Sequence, residues 1–96
     1  MKIVQAAMAG TLESSDLMVK VSPDESGLDV VIQSEVYKQF GDRIAEVVHE
    51  TLAAFNIEQG QIIIDDKGAL ECVLRARVQA ALLRGTARED IAWETL

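Results

Sequence analysis

Sulfur and imidazole chemistry have almost nothing to work with in this sequence. One cysteine, Cys72, excludes a disulfide within the chain, and one histidine, His49, leaves too few soft ligands for a zinc site. Nothing in sequence pairs Cys72 with a base, so it is expected as a small core or half-buried residue rather than a reactive thiol. Aromatics are equally scarce, with one Trp, one Tyr and two Phe, so the core must be drawn from Val, Ile, Leu and Ala. The 49% apolar share still predicts a globular chain rather than a disordered one. No apolar run approaches the roughly 20 residues of a membrane-spanning helix. Met1-Lys2-Ile3-Val4 also lacks the charged-then-apolar start of a signal peptide, so a cytoplasmic protein with no membrane partner is expected. Positive charge is in deficit. Nine Lys and Arg stand against sixteen Asp and Glu, a net charge of −7, which argues against nucleic acid as a partner because phosphate contacts need a basic surface. The deficit is uneven: residues 1–66 hold four basic against twelve acidic residues, whereas residues 67–96 hold five against four. Arg75, Arg77 and Arg84 in that last third are therefore candidate docking contacts, or else a solvated helix surface. Ninety-six residues bound the chain to one small domain, expected over 1–85 with a partly ordered polar tail over 86–96. That suits a carrier or binding module better than an enzyme with its own buried cleft.

Taken in order, Val4 to Leu12 reads as a first strand that sits at a sheet edge. Leu17, Val19 and Val21 alternate with Met18 and Lys20, the period of a second strand, which Pro23 and Gly27 close. Leu28 to Ile32 reads as a third strand, so two successive hairpins are expected. Ser34 is a suitable helix N-cap, and Val36, Phe40, Ile44, Val47, Val48, Leu52 and Phe55 then recur at three and four residues, one apolar helix stripe. Gly41 lies inside that pattern and permits a bend, while His49 falls off the stripe beside Glu46 and Glu50, as a surface residue does. After a helix exit over 56–60, Gln61 to Asp65 is a continuous apolar run, expected of a strand buried on both faces. A strand, helix and strand prefer a right-handed crossover, which makes the third and fourth strands parallel neighbours. Leu70, Val73, Leu74, Val78, Ala81 and Leu82 trace a second helix closed by Gly85, although Leu70, Cys72, Leu74, Ala76 and Val78 also alternate at period two and leave a strand open for its first half. The predicted fold is α+β, in the order β-β-β-α-β-α, with two helices packed on one face of a small mixed sheet. No Gly-rich phosphate loop, internal repeat or metal-ligand spacing is present.

Between the first two strands lies Gly10-Thr11-Leu12-Glu13-Ser14-Ser15-Asp16-Leu17-Met18-Val19. Locally, Glu13-Ser14-Ser15-Asp16 is a tight polar turn that puts two hydroxyls at a solvent-facing tip with no apolar residue to pin it, and so a tip more mobile than the sheet. Local chemistry says no more than that. Ordinary acyl carrier proteins bear their prosthetic group on the serine of Asp-Ser-Leu at a helix start; here Ser15-Asp16-Leu17 leads into a strand, so the match to that bundle is superficial. The stretch from Gly10 to Val19, together with Asp65-Asp66-Lys67-Gly68-Ala69-Leu70-Glu71-Cys72-Val73-Leu74-Arg75-Ala76-Arg77, closely resembles the acyl carrier (gamma) subunit of citrate lyase, a separate family. The resemblance runs from Met1 to about Gly85.

That resemblance implies a non-catalytic carrier subunit. Its prosthetic group would be 2'-(5''-phosphoribosyl)-3'-dephospho-CoA, joined by a phosphodiester to the serine that follows Glu in the motif, here Ser14. The implied partners are the acyltransferase (alpha) and lyase (beta) subunits of citrate lyase, between which the arm's thiol presents acetyl and citryl thioesters, and the prosthetic-group transferase that loads it. Tethering raises the local concentration of the thioester at each site. If the segment were extended, Ser14 and Ser15 would point to opposite faces and a transferase would meet only one. Glu13 and Asp16 then either orient that enzyme or its Mg²⁺, or simply solvate the turn. The alternatives are the carrier subunit of malonate decarboxylase, which uses the same cofactor, and an α+β interaction domain in which Ser14 is only a turn residue.

Overall fold

The computed structural model describes residues 2–35 and 37–86, with 37–40 described by their backbone alone. The elements are β1 (Ala7–Gly10), β2 (Leu17–Ser22), β3 (Leu28–Ser34), α1 (Tyr37–Ala54), β4 (Gly60–Asp66) and α2 (Glu71–Gly85), the expected α+β order. The strand reading left open for the first half of α2 is excluded. The sheet order is β1-β2-β4-β3. β1 pairs antiparallel with β2 and β2 with β4, whereas β3 and β4 run parallel as their helical crossover requires.

Only the first of the two expected hairpins exists, because β4 lies between β2 and β3. The chain's most apolar strand thereby takes the central place, with both its edges paired and with Ile62 and Ile64 wholly buried. Ile63 faces the side without helices and stays half-buried, so β4 is buried on one face rather than two. β1 is an edge strand as expected but shorter than Val4 to Leu12. The N–H groups of Val4 and Gln5 donate instead to the Gly85 carbonyl at the end of α2 (2.9 and 3.2 Å), and Leu12 belongs to the following loop.

Alternation along the strands aims Ala9, Leu17, Val19, Val21, Ile62 and Ile64 at the helices, where they meet Ile44, Val47, Val48, Leu52 and Phe55 of the first helical stripe and Leu74, Val78, Ala81 and Leu82 of α2. Val36 and the side chain of Phe40 lie outside the described residues. α1 runs through Gly41 without interruption. It ends with Asn56 at φ 53°, its N–H on Ala53 O and that of Ile57 on Leu52 O, a Schellman closure that uses Asn in the left-handed position. Ser34, expected at the helix start, is the last residue of β3, and its hydroxyl donates to Asp66 Oδ2 (2.8 Å). Cys72 is exposed, which corrects the core expectation: the buried face of α2 runs through Leu74, Val78 and Leu82, and a residue two positions before Leu74 points well away from it. The tail expected over 86–96 lies, Thr86 excepted, outside the described residues. Among the described residues no helix is long and apolar enough to cross a membrane.

Candidate functional site

Antiparallel and parallel pairing together bring the end of β1, the start of β2, the ends of β3 and β4 and the start of α2 to one end of the sheet. The Ser14 connection sits there. Asp16 N–H donates to Glu13 O (3.1 Å), which makes Glu13 to Asp16 a four-residue turn with the two serines at its corners. Both serine side chains are exposed, and Ser15 has a φ of 64°. The segment is therefore not extended, and the two hydroxyls are separated by turn geometry rather than by strand alternation. Below the turn, Thr11 N–H donates to Leu17 O (3.0 Å), and Leu17 is wholly buried, so the loop stands on the core. A second pair of bonds ties the turn sideways: Ser15 N–H to Lys67 O (2.8 Å) and Lys67 N–H to Asp16 O (2.9 Å). The apolar pinning that the sequence lacks is replaced by polar ties.

Asp16 is the centre of those ties. Its carboxylate accepts from Arg77 Nε (3.2 Å) and Nη2 (2.9 Å), from Thr11 Oγ1 (2.7 Å) and from the backbone N–H of Leu17 (2.7 Å). Thr11 Oγ1 in turn accepts from Glu13 N–H (3.2 Å). Hydrogen bonds to the ionised form favour it, and those from Arg77 above all, then Thr11 and Leu17, hold this carboxyl at about 2. The Arg77 fork supplies two parallel donors to one carboxylate, the geometry that gives such pairs their specificity. Gly10 makes room for this arrangement. It has a φ of 98°, and a Cβ there would overlap the Leu17 carbonyl oxygen and come within 3.3 Å of Arg77 Cδ.

The neighbouring turn is built on Asp66, a buried carboxylate that accepts from Ser34 Oγ (2.8 Å) and from Ala69 N–H (3.0 Å), an Asx-type bond that leads the chain into α2. Lys67 Nζ lies 3.5 Å from both Asp65 and Glu35, and those carboxylates, Asp65 first, raise its proton affinity. Beside this turn a pocket of about 340 Å³ opens between the helices, walled by Ile44, Val47, Ala69, Leu70 and Leu74, with Arg43 and Glu71 paired at its rim.

The three arginines of the candidate docking face are engaged within the chain. Arg75 meets Glu50 and Glu71, Arg77 holds Asp16, and Arg84 Nη1 donates to Met8 O (2.7 Å). Arg77 and Arg84, seven residues apart, share one face of α2, and that face lies against the β1–β2 hairpin. Asp16, read from the sequence as solvating the turn or as orienting the transferase or its Mg²⁺, has its carboxylate hydrogen-bonded to Arg77, Thr11 and the Leu17 backbone. Sequence reasoning missed this pair because its partners are 61 residues apart, and the surplus of arginine on α2 was the one signal that pointed to it.

Comparison with known proteins fits these features. A family model described as malonate decarboxylase delta subunit (MdcD), an ACP family, matches residues 4–85. A citrate lyase acyl carrier protein from Pectobacterium carotovorum subsp. carotovorum (strain PC1) is 62% identical over the whole of both chains. The chain belongs to the citrate lyase acyl carrier protein family. Further members are 58% identical in Pectobacterium atrosepticum, over the whole of both chains, and 57% identical in Enterobacter sp. (strain 638), over the whole of this chain and 99% of that one. Sequence reading held malonate decarboxylase as the closest competitor, and identity along the full length favours the citrate lyase carriers. As a member of this family the chain is a carrier protein, a non-catalytic role. At the level of fold alone, a crystal structure of a Thermus thermophilus protein matches 90% of this chain and 16% of that chain, with a TM-score of 0.55 at 11% identity.

Proposed function

We propose that this carrier serves citrate lyase with 2'-(5''-phosphoribosyl)-3'-dephospho-CoA attached through a phosphodiester to Ser14. The observation that carries the reading is the position of that hydroxyl, exposed at the corner of a polar turn whose backbone is already hydrogen-bonded and whose base stands on Leu17. A large group added there displaces no core residue and breaks none of the bonds described, so the residues present fit the group. When bound, the group supplies a thiol that presents acetyl and citryl thioesters to the acyltransferase and lyase subunits. The chain's own residues hold the attachment point out to solvent and keep it on a rigid sheet. Attachment would join Ser14 Oγ to phosphorus, release pyrophosphate from the triphosphoribosyl precursor, and leave the hydroxyl proton to a base of the prosthetic-group transferase, since Ser14 has no histidine beside it in sequence.

Two alanine variants test this. Ser14→Ala keeps its circular dichroism spectrum and gains no mass with the transferase and precursor, whereas Ser15→Ala is still loaded. Loading of both variants, or of Ser14→Ala alone, refutes the assignment. Loaded protein is then expected to restore citrate cleavage to acyltransferase and lyase subunits that lack a carrier. Restoration of malonate decarboxylation instead would move the chain to the other system that the family description names.

A further inference from the structure

Four donors converge on one carboxylate at the foot of a turn that displays two adjacent hydroxyls. The backbone bonds of this loop connect it to β2 and to the turn before α2, but the side chains of Asp16 and Arg77 connect it to the middle of α2 itself. We propose that the Asp16–Arg77 fork, seated by Thr11, is a positioning device that fixes the turn so that Ser14 rather than Ser15 is offered for covalent modification. The proposal rests on the reading of Ser14 as the attachment residue.

Three features support it. The two serines have the same chemistry and are both exposed, so selection between them must come from backbone conformation. That conformation includes a left-handed Ser15, which non-glycine residues adopt only when their surroundings impose it. The surroundings that impose it are polar: Asp16, directly after Ser15, is held at its backbone by Glu13 and Lys67 and at its side chain by Arg77, Thr11 and Leu17. Without the fork, the carboxylate keeps only the local bonds from Thr11 and Leu17, and the loop loses its tie to α2. The turn then gains the freedom to present either hydroxyl. A planar two-donor fork is required for this, so lysine is not a substitute although it keeps the charge. The contacts of the fork run among Arg77, Asp16, Thr11 and Leu17 and not to Ser14 Oγ, so it acts through the turn.

The test uses full-length protein with Arg77→Lys, Arg77→Gln and Thr11→Val. In the unmodified variants, hydrogen exchange at the amides of Ser15 and Asp16 is expected to speed up about tenfold relative to wild type, with the strand amides of Ile62 to Ile64 unchanged. With transferase and precursor, kcat/KM for the mass increment falls at least about tenfold in both Arg77 variants, through kcat, because a misplaced acceptor lowers the rate of the bond-forming step. Fragmentation of the modified peptide is expected to show Ser15 carrying part of the group, a readout that general destabilisation does not produce. Thr11→Val leaves the Arg77 fork in place and shows the same changes at smaller amplitude, so it carries the test should the Arg77 variants not fold. Wild-type rates with Ser14 as the only modified residue, or unchanged exchange, overturn the proposal. If the wild-type protein is itself modified at a residue other than Ser14, the attachment reading falls and this proposal falls with it. Normal attachment with indifferent variants removes this proposal alone.

Discussion

Replacing Gly10 with alanine is the sharpest test of how the site loop is seated. Two costs are separable. A non-glycine residue at a φ of 98° is strained by about 1–3 kcal/mol, partly offset by about 0.4–1 kcal/mol through the lower entropy of the unfolded chain. The new Cβ also overlaps the Leu17 carbonyl oxygen, the acceptor for Thr11 N–H, and presses on Arg77 Cδ at 3.3 Å, and forced overpacking of this kind adds about 1–3 kcal/mol. Gly68 is the matched control: its φ is 90°, and a Cβ there meets nothing within 4 Å. Gly68→Ala should therefore cost about 1 kcal/mol and Gly10→Ala about 2–4 kcal/mol. For a domain of this size each kcal/mol corresponds to about 4–8 °C in Tm. Urea titration gives both differences, and thermal melts followed by circular dichroism give the same order. Equal losses in the two variants would mean that the contact with Leu17 and Arg77 has no energetic weight, and the account of how Gly10 seats the loop would be wrong.

Two further outcomes follow from the same geometry. The Asp16 carboxyl, held at about 2 against an ordinary 3.8 by Arg77, Thr11 and Leu17, stabilises the fold fully above 3.8, and that contribution is lost as the pH falls toward about 2. A carboxyl carbon titration should place its midpoint near 2, and Asp16→Asn should flatten the acid limb of stability in that window; a midpoint near 3.8 would show that the fork does not form in solution. Cys72, exposed on α2, is expected to react fully with a thiol reagent in native buffer, whereas labelling only as fast as global unfolding would return it to the core.

The order of elements was legible because their periods differ. Leu17, Val19 and Val21 alternate, and Ile44, Val47, Val48, Leu52 and Phe55 step by three and four, and each set is buried along one side of its element. The turn at Ser14 was equally legible, since glycine, serine and aspartate between two apolar runs leave few other conformations. Cys72 was misjudged because its residue type was weighed without its place on α2: two positions before Leu74, it falls off the face of Leu74, Val78 and Leu82 that packs against β1, β2 and α1.

By itself, then, the sequence determined the elements, the parallel β3–β4 pair and the exposed serines, since these follow from periodicity, handedness and turn chemistry acting over short spans. Tertiary structure alone decided that β4 enters between β2 and β3, because the gain from placing the most apolar strand at the centre arises only when the whole sheet assembles. It also decided that Arg77 holds Asp16. Charges 61 residues apart have no preferred partner in an extended chain, and they become a pair only when α2 packs across the β1–β2 hairpin and leaves Asp16 as the carboxylate within reach of Arg77.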